Sequence, residues 1–360
     1  MCTRVMWPDT GDKTGNAVLV GRNMDFHRDL MTNLWKQPRG VQRDDAVSGK
    51  LTWTSKYGSV VATAYDITST DGMNEAGLAG HILWLAESTY GEPDDSRTQL
   101  GQGIWLQYFL DNFATVAEAT AWIAETDVQV EQMDDPTGGE RPGLHLALDD
   151  ATGDSAIIEY VDGHARVYHS RDYKVMTNSP TFDKQLELVK SFTGLGGDQP
   201  LPGGTDARDR FARASFYVDR VPTPNTQVEA IAAMFSVIRN AAQPFRIPEP
   251  GKPDASQTIW QVVLDLTNKR YVYESTTRPN IVWVDLADLD FSEGSSQLKL
   301  DLIGELAVEG GIVGGVADKF EDKGPMTFLS MKLMQELEAA EKVKAAQAAG
   351  ATFETTRLTS

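Results

Sequence analysis

Cys2 is the only cysteine in the chain and stands directly behind Met1. If that methionine is trimmed, one residue carries both a thiol and a free α-amine, a nucleophile with its own base attached. Reference pKa values of about 8.5 for the thiol and about 7.7–8.0 for the amine put both within reach of neutral pH. Two bland readings compete: a buried cysteine acting as a small hydrophobe, and a lipid-bearing cysteine at a mature N-terminus. Arg22 and Asp25 follow within the run Gly21-Arg22-Asn23-Met24-Asp25-Phe26. Their odd spacing points them to opposite faces of a regular strand, so one site can use both only where the strand bends or ends. Asn178 stands in Met176-Thr177-Asn178-Ser179-Pro180, where an amide could face a developing oxyanion, and where asparagine before Ser-Pro is also an ordinary turn residue.

Alternating apolar positions place strands at Ala17–Val20 running on through Phe26, at Ser59–Tyr65 and at Gly80–Leu85, with turn chemistry in Asp71-Gly72 and Glu75-Ala76-Gly77. A helical block spans Gly103–Glu125, and Thr115 with Glu118 reads as a capping box inside it. Strands return as a meander at His145–Leu148, Ala156–Val161, Ala165–His169 and Lys174–Thr177. Helices follow at Phe182–Phe192, Ala207–Tyr217 and Val228–Ala242, the last capped by Thr226 with Glu229. The closing strands are Thr258–Leu266, Arg270–Glu274, Ile281–Asp285 and Gln297–Leu302. Blocks of antiparallel strands alternating with blocks of helices predict an α+β layered domain over residues 1–318. Gly194–Thr205 reads as a surface loop. Residues 319–360 read as a C-terminal extension whose Leu329–Ala349 stretch has a helical pattern, either a docking helix or a solvated tail, with the tail preferred.

The chain has 360 residues, 41% of them hydrophobic, and a net charge of −19. That excess of acid argues against nucleic acid and against anionic membranes, both of which need clustered Lys and Arg. No apolar run approaches the length of a membrane span. One cysteine allows no internal disulfide. The histidines His27, His81, His145, His164 and His169 show no ligand spacing, and no glycine-rich phosphate loop sits at a strand–helix junction; neither metal nor cofactor is expected. His81 reads as an incidental, exposed strand histidine, and Asn74 as structural.

Four segments in order, Cys2-Thr3-Arg4, Gly21-Arg22-Asn23-Met24-Asp25, Asp71-Gly72-Met73-Asn74-Glu75 with Gly77-Leu78, and Met176-Thr177-Asn178-Ser179-Pro180-Thr181-Phe182, resemble the choloylglycine hydrolase family. The resemblance runs to about Leu302. Trp53–Ser59, Leu83–Ser88 and Arg210–Phe216 resemble its Gram-negative penicillin V acylase branch. It implies the four-layer αββα sandwich of N-terminal-nucleophile hydrolases and a thioester acyl-enzyme on Cys2. Arg22 then stands for the arginine beside the sulfur, Asp25 for a residue orienting the amine, Asn178 and the Trp84 backbone N–H for oxyanion donors, and Arg210 for a further arginine near the nucleophile. Phe26 and Trp84 shape the acyl site; bile salt enzymes carry asparagine at the Trp84 position. The implied substrates are small N-acyl amides, penicillin V or N-acyl homoserine lactones, and quorum quenching follows from the latter. A bile salt hydrolase of the same fold and a lipid-anchored, non-catalytic envelope binder are the alternatives. The branch also implies a homotetramer and a periplasmic home, with the cytoplasm as alternative.

Overall fold

The structure is a computed structural model and describes residues 1–135, 141–248, 250, 255–278, 280–304, 311–337 and 339. Two large sheets lie face to face. The first has seven strands in the order Val175–Met176, Cys2–Trp7, Leu19–Phe26, Gln257–Asp265, Arg270–Ser275, Asn280–Asp285 and Gly314–Gly315. The second has eight, in the order His164–His169, Ser155–Val161, Leu144–Asp149, Ala79–Trp84, Thr68–Asn74, Ser59–Ala64, Leu34–Gln37 and Leu298–Leu300. Helices Phe182–Val189, Ala207–Val218 and Gln227–Asn240 cover the outer face of the first sheet, and Trp105–Asn112 with Val116–Thr126 cover the second. This is the expected αββα layering.

Strand periodicity builds the layers. Val60 and Ala62 point into the core between the sheets while Val61 points out under the helices, and Ala147 likewise alternates with Leu146 and Leu148. A sheet buried on both faces must be apolar on both, so these strands read as continuous runs. Both expected helix caps form. The Thr115 side chain accepts from the Glu118 N–H and Thr226 from the Glu229 N–H, each at 3.2 Å. Their glutamates reach back to the N–H groups of Ala114 and Asn225, each at 2.7 Å, satisfying donors the first turn leaves open. Asn74 is structural as expected: its amide donates to the carbonyls of Leu110 and Phe113.

Asp71-Gly72 is not a turn. It lies inside strand Thr68–Asn74, and the turn falls at residues 75–77. A Cβ on Gly72 would stand 2.7 Å from Val61 and 2.8 Å from Leu110; the glycine is there because helix Trp105–Asn112 packs onto the strand. Cys2–Trp7, Leu34–Gln37 and Thr98–Gly101 are further strands beyond those the periodicity marked out. In the C-terminal region residues 331–337 are helical. Met326, Phe328, Leu329 and Met334 pack into the core under the second sheet, whereas Leu337 is exposed. The remainder of the expected Leu329–Ala349 helix lies outside the described residues apart from residue 339.

Candidate active site

Register places the chemistry. The first strand starts at Cys2 and runs between two antiparallel neighbours. On one side Cys2 pairs with Met24 and Arg4 with Arg22; on the other Arg4 pairs with Met176, so the same register carries Asn178 to Cys2. The Cys2 nitrogen donates to Asn178 Oδ1 at 2.7 Å. The sulfur lies 3.8 Å from Arg22 Nη2 and 3.6 Å from the Met24 thioether.

Arg22 is wholly buried and held by the opposite sheet: its guanidinium donates to the carbonyls of Thr70 and Ile82 and to Asp71 Oδ2. Burial works against its charge, yet the Cys2 sulfur and the Asp71 carboxylate outweigh burial and its pKa is raised. Asp71 in turn accepts from the Tyr271 hydroxyl at 2.7 Å and meets His81 Nδ1 at 2.6 Å. A carboxylate only accepts, so Nδ1 carries the proton. Burial opposes the Asp71 charge, but His81 and Arg22 hold its pKa below the usual carboxylate value. Burial pushes the His81 pKa down, against the pull of Asp71. His81 is therefore not the exposed residue expected: it is buried in the charge cluster behind Arg22. A polar residue in a strand is expected at a solvated face, but both faces of this sheet are covered.

Asp25 points to the other face, as its odd spacing from Arg22 requires. Its carboxylate accepts from Thr258 Oγ1 at 2.6 Å and Gln243 Nε2 at 2.9 Å, and lies 3.6 Å from Arg210 Nη1. The register shift between Thr258 and Trp260 makes the bend there. Both faces become useful because the first strand ends at Cys2. Arg210, from helix Ala207–Val218, bridges them: it donates to the Cys2 carbonyl, to Thr3 Oγ1 at 2.6 Å and to Asn178 Oδ1 at 2.7 Å. Burial lowers its pKa, against the opposing charges of Asp25 and Cys2.

Met1 extends the ladder by one rung. Its amine donates to the Asp25 carbonyl at 2.6 Å, and its carbonyl accepts from the Asp25 N–H at 2.9 Å. Burial lowers the pKa of that amine.

Asn178 Nδ2 donates to the Trp84 carbonyl at 2.6 Å, which leaves its second N–H hydrogen. Trp84 faces Leu144 across the ladder, but the Leu144 N–H goes to the Tyr90 hydroxyl and the Leu144 carbonyl serves Ser88 and Tyr90. The bonded rung is Leu85 to Gly143. In an antiparallel ladder the Trp84 N–H therefore points away from that neighbour, on the same side as its carbonyl and Asn178.

A cleft of about 930 Å³, open to solvent, runs from Cys2 between the sheets' ends. Phe26 and Trp84 line it with Met24, Leu30, Ile82 and Met133. Its walls are mostly apolar, as a site for a hydrophobic acyl group needs. The structure thus gathers Cys2, Arg22, Asn178, Arg210 and the Trp84 backbone at one point, with Asp25 joined through Arg210. Among the described residues no group of three or more His, Cys, Asp or Glu is placed to hold a metal ion, and no helix is long and apolar enough to cross a membrane.

Comparison with known proteins gives matches over most of the chain. Residues 2–299 match the family model of linear amide C–N hydrolases, choloylglycine hydrolase family. The chain is 42% identical to the penicillin V acylase of Pectobacterium atrosepticum over 323 residues, 84% of this chain and 85% of that protein. A bile salt hydrolase/transferase of Clostridium perfringens is 27% identical over 62% of this chain and 75% of its own length. The solved penicillin V acylase of Agrobacterium tumefaciens superposes with a TM-score of 0.83 at 43% identity, covering 92% of this chain and all (100%) of that one. The protein belongs to the linear amide C–N hydrolases of the choloylglycine hydrolase family.

Proposed function

We propose that the protein removes the acyl group from small linear N-acyl amides, with Cys2 as nucleophile once Met1 is gone. The observation that carries this is the Cys2 sulfur, 3.8 Å from the Arg22 guanidinium and lining an apolar cleft. The free amine takes the thiol proton and Sγ attacks the amide carbonyl carbon. The second N–H of Asn178 Nδ2 and the Trp84 N–H are the donors for the oxygen that becomes negative. The amine then returns its proton to the leaving nitrogen as the C–N bond breaks, giving a thioester. Water, deprotonated by the same amine, attacks that thioester and releases the acid with Sγ restored. Arg210 and Asp25 keep Cys2 and Asn178 in register.

Penicillin V and N-acyl homoserine lactones are the leading substrates. Phe26 and Trp84 offer flat apolar surface for a phenoxyacetyl group or an acyl chain, and the chain is more similar to a penicillin V acylase than to a bile salt enzyme. Acid and amine release from penicillin V, a long-chain acyl homoserine lactone and glycocholate, assayed in parallel with Cys2→Ala as blank, tests this. Turnover of the first two without the third is expected. Preferential turnover of glycocholate would replace the proposal with a bile salt hydrolase, and no turnover by a protein with terminal Cys2 would overturn it. A homotetramer in the periplasm belongs to the same proposal and is checked by sedimentation and cell fractionation.

A further inference from the structure

The cleft has a wall that comes from beyond the residues matched by the family model. The family model ends at residue 299, yet Leu329 lines the cleft. The segment that delivers it is fixed at several points. The Met326 N–H donates to Gln297 Oε1 at 2.9 Å and Gln37 Nε2 reaches the Met326 sulfur at 3.5 Å. Arg43 stacks over the Phe328 ring at 4.9 Å. The Leu329 N–H donates to the Ile67 carbonyl at 2.7 Å, and the Met331 N–H to the Ala46 carbonyl at 3.0 Å. Leu329 is 6% exposed and its backbone lies so close to Gly103 that a Cβ there would stand 2.6 Å from the Leu329 oxygen. The segment is thus a strap wedged between the residues before strand Thr68–Asn74 and those before helix Trp105–Asn112.

Its place along the cleft follows from the strand it rests on. Thr70 accepts from Arg22, which stands beside the Cys2 sulfur, and Ile67 accepts from Leu329. Residues 67–70 all line the cleft, Ile67 at the entry to the strand and Thr68, Ser69 and Thr70 within it. Three residues of extended chain span roughly 10 Å, so the carbonyl that holds Leu329 and the one that holds Arg22 are about that far apart along the cleft. That is the reach of a medium-length acyl chain laid out from a thioester.

We propose that Leu329 is the floor of the acyl site and sets the longest acyl chain the enzyme accepts. This rests on the acylase reading above. Shortening the side chain deepens the site; enlarging it makes the floor shallower. The readout is the ratio of kcat/KM for tetradecanoyl over hexanoyl homoserine lactone. Leu329→Ala is expected to raise that ratio roughly tenfold and Leu329→Trp to lower it by a similar factor, the range a hydrophobic pocket achieves for small changes in volume. Gly103→Ala, which pushes the strap away through its backbone, is expected to change the ratio in the same direction as Leu329→Ala.

The ratio of tetradecanoate to hexanoate affinity, measured by calorimetry on the same proteins, reads the floor whether or not any amide is cleaved. If the wild type cleaves no acyl amide while the binding ratios move as stated, the acylase reading fails and the floor stands. Ratios that do not move, or that move the same way in Leu329→Ala and Leu329→Trp, overturn the floor. A variant that does not fold leaves the Gly103→Ala and remaining Leu329 ratios to decide, and their failure to move overturns it equally.

Discussion

Arg4 and Arg22 are direct cross-strand partners, and both are fully buried. Two like charges placed opposite each other in a ladder destabilise it unless each is neutralised. Here each has its own carboxylate from the facing sheet, Asp149 for Arg4 and Asp71 for Arg22. His81 stands between those carboxylates, at 2.6 Å from Asp71 and 3.6 Å from Asp149. The charge beside the Cys2 sulfur is therefore part of a cluster that ties the two sheets together.

Removing one member of a buried pair leaves the other charge uncompensated. Asp71→Leu is expected to cost about 3–5 kcal/mol of stability. Urea denaturation measures it, and a loss under about 1 kcal/mol would mean that Arg22 is neutralised elsewhere.

His81 gives the cluster a pH signature. Its folded pKa is depressed, so the unfolded chain binds a proton that the native protein refuses. Stability from this group is complete well above the unfolded value of about 6.5 and is lost as pH falls below it, with a slope of up to about 1.4 kcal/mol per pH unit. Denaturant midpoints between pH 7 and pH 5 should fall more steeply in the wild type than in His81→Asn. Parallel slopes would show that His81 protonates freely in the folded state.

Asn178 holds the Cys2 nitrogen, Arg210 and the Trp84 carbonyl at once. Asn178→Ala is expected to lower kcat by about 10²–10³, the range for loss of one oxyanion donor, with a smaller change in KM. A change confined to KM would make Asn178 a substrate-binding residue.

A protein whose mass shows Met1 retained should not turn over substrate, because the nitrogen of Cys2 is then an amide with no basic lone pair. Activity in that sample would sink the terminal-amine mechanism. Cys2→Ala should bind substrate and release nothing, by calorimetry and product assay on one preparation.

Local signals in the sequence are legible where local physics decides. The caps at Thr115 and Thr226, the meander from residue 144 and the helix carrying Arg210 all follow from neighbours a few residues apart. The roles of Asp71 and His81 do not. Asp71 reads as half of an Asp-Gly turn, and only the packing of Leu110 on Gly72 makes that pair mid-strand. Its partner Arg22 lies 49 residues away on the other sheet. Leu329 is hidden for the same reason: a leucine at the start of an Ala/Glu/Lys-rich stretch says nothing of the carbonyl of Ile67. The motifs mark Cys2, Arg22, Asp25 and Asn178 as a set, and the register of the first strand with its neighbours explains how such distant positions meet.

The rung that Met1 adds across from Asp25 separates building the enzyme from arming it. Met1 sits in the ladder as an ordinary strand end, bonded at both backbone groups. The sheets, the buried arginines and the cleft can all be complete while the nitrogen of Cys2 is still acylated. Trimming then takes away two hydrogen bonds, frees the N–H and carbonyl of Asp25 beside the cleft and turns an inert amide into the proposed base. What separates the two states of the proposed site is a single peptide bond, and not the fold.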